Sequence, residues 1–355
     1  MAKDSVGVGV IGTGFGVRVQ IPVWSQTPGA RVVAVCSHDQ ARATAVAERF
    51  DIPHAVTGDR ELAELPDVDL VSVVTPPYLH HPGVMAAIEA GKHVLCEKPF
   101  ALDQAQALEM LEAARAKGVI HLVNFEFRTT PARMEMRRRF REGSIGELLH
   151  VHVTAFGDFV RMTEGRTARW WYQVEKGGGW LGASGSHTID TLRFVFGEIV
   201  GVGAQIETMI KEHRPLREET SMTIDADDTF FLLFRMAGGA LGAFLSGAAI
   251  AAGGGTQRIE AYGSEGTLVL DGDTLLVAKK GDRSLEEVRL PAPEAATEAV
   301  DPHYIPMGVW TSQIVEAVKA GKQIAPSFED GWRSQQVIDA ARQSAAEGRW
   351  VDIDV

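Results

Sequence analysis

Cysteine is nearly absent. The 355 residues hold two, Cys36 and Cys96, far apart in the chain and at no zinc-ligand spacing, so no metal site is assigned. A chain this poor in cysteine fits a reducing compartment, and the expected location is cytoplasmic. Long apolar runs are also missing. None approaches the roughly 18 residues of a membrane-spanning helix, so no membrane partner is expected. The opening "MAKDSVGVGVIG" lacks the basic, apolar and cleavage segments of a secretory signal. Positive charge is in deficit, with 35 Lys and Arg against 47 Asp and Glu and a net charge of −12. That argues against nucleic acid as the main partner, because phosphate backbones need a basic face. Internal repeats and long low-complexity segments are not seen either.

What remains is an ordinary globular composition, 45% hydrophobic and 23% charged, at a length that suggests two domains. Over the first 125 residues, short apolar runs alternate with helical spacing. "VGVGVI" (6–11), "RVVAVC" (31–36), "DLVSVV" (69–74), "KHVLC" (92–96) and "VIHLVNF" (119–125) read as buried strands. "QARATAVAERF", "HHPGVMAAIEAG" and "QAQALEMLEAARAKG" read as the helices between them. This alternation implies right-handed crossovers and a doubly wound parallel sheet. After the helical "PARMEMRRRFREG" (131–143), extended runs dominate, divided by "AGG", "GSEG" and "DGD". The expected fold class is therefore α/β, with an N-terminal doubly wound sheet. A C-terminal α+β domain on a large, mainly antiparallel open sheet follows it. The domains are placed at 1–125 and 126–355, with the last helix free to pack back on the first domain. The run Phe230–Phe234, "FFLLF", is apolar on both faces. Helices or another subunit could cover the second face, and a partner subunit is the expected cover, since a broad uncovered apolar sheet is not tolerated in a monomer.

"VGVGVIGTGFG" sets Gly12 and Gly14, followed by Phe15, between the first strand and a helix. Two such glycines allow a tight turn and close approach of backbone to a dinucleotide's diphosphate, which the helix N-terminus then attracts. The third glycine of G-x-G-x-x-G is displaced: Val17 stands in its place and Gly16 comes one position early, which predicts looser helix packing. At the end of the second strand an acid would hold the ribose of NAD, but the chain has Ser37 there. With His38 and Arg42 close by, NADP is allowed beside NAD and is favoured over it. Asp39 reads equally as a helix cap.

Thr75 and Pro76 follow one strand end, and "CEKPF" (Cys96–Phe100) follows the next. Glu97 and Lys98 thus stand where ligands bind in such sheets, and Pro99 restricts Lys98 to extended backbone. The most unusual stretch is "GGGWLGASGSHTID" (177–190). Its small residues suggest room cleared for a substrate that His187 faces, and a structural histidine beside a tight loop is the alternative. "RWWYQ", with Trp170, and the nearby Trp180 suit either a sugar face or a core. Arg128, after the last strand of the first sheet, points to the substrate cleft. Asp190, one helical turn past His187, reads as its orienter or as a backbone partner. His80 and His81 read as capping or surface residues.

"CEKPF", "TPPYLHHP", "GGGWLGASGSHTIDTLRFVFGE", "YGSEGTLVL" and the closing "SFEDGWRSQQVIDAARQSAAEGRWVDI" together resemble the glucose–fructose oxidoreductase/inositol dehydrogenase (Gfo/Idh/MocA) family across nearly the whole chain. The resemblance implies a Rossmann domain and an open-sheet domain that often carries the interface of a homodimer or homotetramer. It also implies NAD(P)-dependent oxidation or reduction of sugars, cyclitols and related carbohydrate-like compounds. It assigns catalysis to Lys98 and His187. Lys98 stabilises the reacting oxygen and His187 takes its proton. The reading of the residues themselves, apart from the resemblance, gives as candidates for the cofactor Gly12, Gly14, Phe15, Ser37, His38, Arg42, Thr75, Pro76, Glu97 and Lys98, and as candidates for the substrate Arg128, Trp170, Trp180 and Asp190. The family's Asp-x-x-x-His has Ala183 in place of its aspartate. That departure keeps two rivals open, a non-catalytic dinucleotide-binding protein and an NAD-dependent glycosidase.

Overall fold

The computed structural model describes residues 5–158, 169–213, 222–250, 254–291 and 301–355. Two compact units emerge. One comprises Met1–Thr129 and Glu294–Gln335, the other Thr130–Pro293 and Gln336–Val355. The first boundary falls at 129/130 where 125/126 was the expectation, and a second segment, Glu294–Gln335, which takes in the start of the last helix, belongs to the first unit. The cause is apolar. Met307, Trp310, Ile314 and Val315 share a buried cluster with Val8, Val10, Val19 and Trp24.

The first unit is built on six parallel strands. They are β1 (Val6–Ile11), β2 (Ala30–Cys36), β3 (His54–Val56), β4 (Leu70–Val73), β5 (His93–Cys96) and β6 (His121–Val123), in the order β3-β2-β1-β4-β5-β6. β1 is buried at all positions, as a strand covered on both faces should be. The helices between the strands are α1 (Ile21–Gln26), α2 (Gln40–Phe50), α3 (Asp59–Ala63), α4 (His80–Glu89) and α5 (Gln104–Lys117). Asp39 caps α2, accepting from the N–H groups of Ala41 and Arg42. α1 is preceded by a wide turn, Gly16–Gln20, in which the Ile21 N–H reaches back five residues to the Gly16 carbonyl. The looser packing expected from Val17 is not found. Gly16 itself lies against β1, where an added Cβ would stand 3.3 Å from Val10 Cγ1.

In the second unit, α6 (Pro131–Arg141), β7 (Leu148–Phe156) and α7 (Ser186–Phe196) precede most of a nine-stranded sheet. The sheet continues through β8 (Ile199–Glu207), with β9 (Glu212–His213) and β10 (Met222–Thr223) forming a separate pair. It is completed by β11 (Thr229–Met236), β12 (Leu241–Gly247), β13 (Arg258–Gly263), β14 (Gly266–Asp271), β15 (Thr274–Lys279), β16 (Glu286–Glu287) and β17 (Val351–Asp352). The order is β16-β15-β14-β13-β7-β12-β11-β8-β17. All neighbours run antiparallel except β12 and β7. Two further helices are α8 (Tyr304–Ala320) and α9 (Phe328–Glu347), and the division between the units falls within α9.

The inner face of the sheet is covered by helices. Met136 of α6, Leu192 and Val195 of α7, and Val337 and Ile338 of α9 pack with Phe230, Leu232 and Phe234. The opposite face of β11 presents Phe231 and Leu233, 45% and 60% exposed, beside exposed Leu241 of β12. Among the described residues no helix is long and apolar enough to cross a membrane.

Candidate functional site

In the first unit, the turn after β1 carries the dinucleotide-binding features. Gly12 has φ +113°, and a Cβ there would come within 2.6 Å of the Val74 carbonyl oxygen. Only glycine permits that crossing of β1 by the strand beside it. Gly14 is exposed, and a Cβ on it would meet nothing within 4 Å. Beside it begin the N–H groups of the following helix. This open backbone cradle fits a diphosphate, so the residues present suit a dinucleotide. Phe15 is half-buried next to it.

Arg42 reaches from α2 to the same turn, its Nη2 donating to the Thr13 carbonyl at 3.0 Å. Ser37 is buried at the end of β2, its Oγ accepting from the Asp39 N–H at 3.4 Å. His38 is exposed. The carboxylate of Asp39 is spent on the start of α2, so the cap reading is the one the geometry realises.

At the end of β4, the Thr75 hydroxyl is buried with no hydrogen-bond partner among the described residues, and half-buried Pro76 follows. The Thr75 carbonyl faces His80 Nε2 at 2.8 Å, and the Phe100 carbonyl faces Nδ1 at 3.2 Å. His80 is wholly buried, and burial lowers its pKa. It ties two strand ends together from within, which corrects the surface or capping reading. His81 keeps a surface role against Glu109.

Glu97 is also corrected. Its carboxylate turns into the protein rather than toward a ligand. Oε1 accepts from Gln20 Nε2 at 2.6 Å and Asn124 Nδ2 at 2.8 Å, while Oε2 accepts from the Lys98 N–H at 3.3 Å. Gln20 accepts in turn from Ser72 Oγ and Trp24 Nε1. Burial, then the nearby Glu126, raises the Glu97 pKa, and Lys98 and the two amides oppose that rise. The network fixes the backbone on which half-buried Lys98 stands. Arg128 likewise differs from expectation. Its side chain is 7% exposed and bonded to Asp330 Oδ1 at 2.7 Å, a part-buried ion pair joining the end of β6 to the start of α9.

In the second unit, α7 is buried at all positions except His187 and Phe194, which are half-buried. Thr191 Oγ1 donates to the His187 carbonyl at 2.9 Å. Asp190 and Ala183 are both buried. Three of the glycines upstream are close-packed. A Cβ on Gly178 would strike the Trp170 and Trp171 carbonyl oxygens at 2.5 Å, one on Gly179 would strike Asp227, and one on Gly185 would press on Leu181 and Phe230. Gly179 and Trp180 also line a cavity with Trp171, Tyr172 and Asp227. Asp227 also accepts from the Leu181 N–H, and burial raises its pKa. Trp180 packs on the core and donates to Ser246 Oγ at 2.8 Å, so the core reading holds for it. Trp170 is half-buried and stacks on Trp171 with ring centroids 4.8 Å apart.

Gln20, Asn124, Glu126 and Asp227 escaped the sequence reading. Asn124 and Glu126 had a usable signal, since they follow β6 at its carboxyl end. Gln20 had none, being one polar residue within a buried helix.

Residues 6–125 match the profile of an oxidoreductase family with an NAD-binding Rossmann fold, and 134–269 match a GFO/IDH/MocA C-terminal domain. An oxidoreductase of Synechocystis sp. is 31% identical over 359 residues, covering 98% of this chain and 95% of its own. Levoglucosan dehydrogenase of Pseudarthrobacter phenanthrenivorans is 29% identical over 389 residues, covering 99% and 98%. A solved levoglucosan dehydrogenase in complex with NADH and levoglucosan superposes with a TM-score of 0.88 at 27% identity, covering 99% of this chain and 100% of that one.

Proposed function

The chain belongs to the Gfo/Idh/MocA family of NAD-binding oxidoreductases, and on that premise we propose that it is a dehydrogenase or reductase of a sugar, cyclitol or related hydroxy or keto compound. The observation that carries this reading is the glycine turn after β1, with open space at Gly14 where the following helix begins. When bound, the nicotinamide supplies the two-electron chemistry. The protein's own part falls to two side chains. Lys98 orients and stabilises the reacting oxygen as charge develops on it. His187 holds the hydroxyl proton as general base. Trp170 offers an aromatic face to the carbohydrate. Gly12, Gly14 and Phe15 seat the diphosphate, and Thr75 and Pro76 border it.

Ser37 replaces the ribose-binding acid, and Arg42 stands at the same turn. Both support acceptance of NADP beside NAD, with NADP preferred. Relatives solved with NADH make NAD the necessary comparison. The outer face of the second unit's sheet, with Phe231, Leu233 and Leu241 exposed together, supports a homodimer or homotetramer joined there.

The test is titration with NADH and NADPH, then a panel of anhydrosugars, ketoses, aldoses and cyclitols followed at the nicotinamide absorbance. Turnover of a panel member with net cofactor reduction or oxidation supports the reading. A second reading rests on Ala183: a dinucleotide-binding protein without turnover. Tight cofactor binding with no turnover across the panel would favour it.

A further inference from the structure

The strand ends of the first unit hold a second titratable pair that the proposed mechanism does not use. Glu126 lies just after β6 and is 1% exposed. Its Oε1 meets His303 Nδ1 at 2.6 Å, across 177 positions of sequence. Its Oε2 is buried and finds no hydrogen-bond partner among the described residues. A buried carboxylate is costly unless a charged or hydrogen-bonded partner offsets its desolvation, and the imidazole is that partner.

The imidazole stands beside the glycine turn. Its ring is edge-on to Phe15, with centroids 5.2 Å apart, and Phe127 flanks it at the same distance. Its neighbours fasten the segment to the helix that follows the turn. Asp301 pairs with Arg18 at 3.3 Å and caps the His303 N–H, and the Tyr304 hydroxyl donates to the Arg18 carbonyl. The turn therefore has little cation to spare. Arg18 is held by Asp301, and Arg42 is turned to the Thr13 carbonyl. Glu126 from the β6 end meets the His303 ring and Asp301 meets its backbone, while Tyr304 on the same segment and Arg18 of the turn's helix are the other titratable or charged groups on these elements. Glu97 feels the charges of both Glu126 and Lys98.

We propose that His303, gripped by Glu126 and set against Phe15, is a dinucleotide-binding residue that supplies the positive hydrogen-bond donor to the cofactor's diphosphate. With Nδ1 committed to the carboxylate, Nε2 is the ring's remaining donor, and it is a donor only when the imidazole is charged. A diphosphate favours that charged form. Dinucleotide affinity therefore falls when rising pH takes the proton from the ring.

The inference rests on the dinucleotide reading above, and the experiment separates the two. NADH and ADP-ribose, which shares the diphosphate but lacks nicotinamide, are titrated from pH 5.5 to 9 into wild type, His303→Gln and Glu126→Gln. Thermal melting confirms that each variant is folded. Wild type should lose roughly three- to tenfold in affinity for both probes toward high pH. His303→Gln should match the wild type's weaker, high-pH affinity throughout, with the pH slope gone. Glu126→Gln should weaken binding of both probes. An unchanged slope in folded His303→Gln overturns the proposal. So does a loss confined to NADH, which would move the contact to the nicotinamide. If wild type binds neither probe, the dinucleotide reading fails and this inference with it.

Discussion

Gly14 is the residue at which the cofactor reading is most exposed to test. A side chain there meets no protein atom within 4 Å, so Gly14→Asp should leave the melting temperature nearly unchanged. Its carboxylate would nevertheless stand where the diphosphate is seated, adding bulk and like charge. NADH binding, read by fluorescence, should fall below detection; retained affinity would remove the assignment of this turn. Lys98 and His187 answer a different question. Lys98→Ala should keep dinucleotide binding while turnover drops roughly 10²–10³-fold, the scale of one preorganised charge at a reacting oxygen. His187→Ala should cost roughly 10²–10⁴-fold and abolish the rise in rate with pH, because only the neutral ring accepts a proton. Equal turnover in wild type and both variants would dismiss this pair as the catalytic machinery.

At the scale of elements, β6 depends on a histidine that cannot charge easily. Burial, with the Arg115 guanidinium adding to it, lowers His121 to about 4. Its backbone is also bracketed by Gln323, which accepts from the His121 N–H and donates to its carbonyl. The ordinary histidine value is about 6.5. Below it the unfolded chain takes up a proton that the folded chain refuses. Stability present above about pH 6.5 is therefore lost as pH falls toward 4, by roughly 2–3 kcal/mol. Urea unfolding of wild type and His121→Gln from pH 4 to 7 should show that slope in the first and a shallower one in the second. Parallel curves would count against it. Elements were also the scale best read from sequence. The apolar runs at β1, β2, β4 and β5 are long enough, and flanked clearly enough, to stand out. β3, three residues long, carries too little pattern to be seen. The site was legible only in part. The glycine turn and Lys98 sit at predictable places on a doubly wound sheet. The inward turn of Glu97, the Arg128–Asp330 pair and the Glu126–His303 pair depend on residues that fold together from far apart in the chain.

For the whole molecule, the alternation along β11 sends Phe230, Leu232 and Phe234 into the core and leaves Phe231 and Leu233 outside. If that outer face joins subunits, Leu233→Lys should yield a monomer by light scattering at micromolar protein. Each chain should keep its fold, since the side chain is 60% exposed. A wild type that is already monomeric, or a variant that stays associated, would refute the assembly proposed for this face. The glycine run before His187 carries a lesson about descent. Gly178, Gly179 and Gly185 are occupied by Trp170, Trp171, Asp227, Leu181 and Phe230, so purifying selection on folding alone would retain them. A lineage that abandoned its chemistry would still inherit the run. The stretch therefore marks common ancestry of architecture, and it cannot by itself tell a working copy from a retired one.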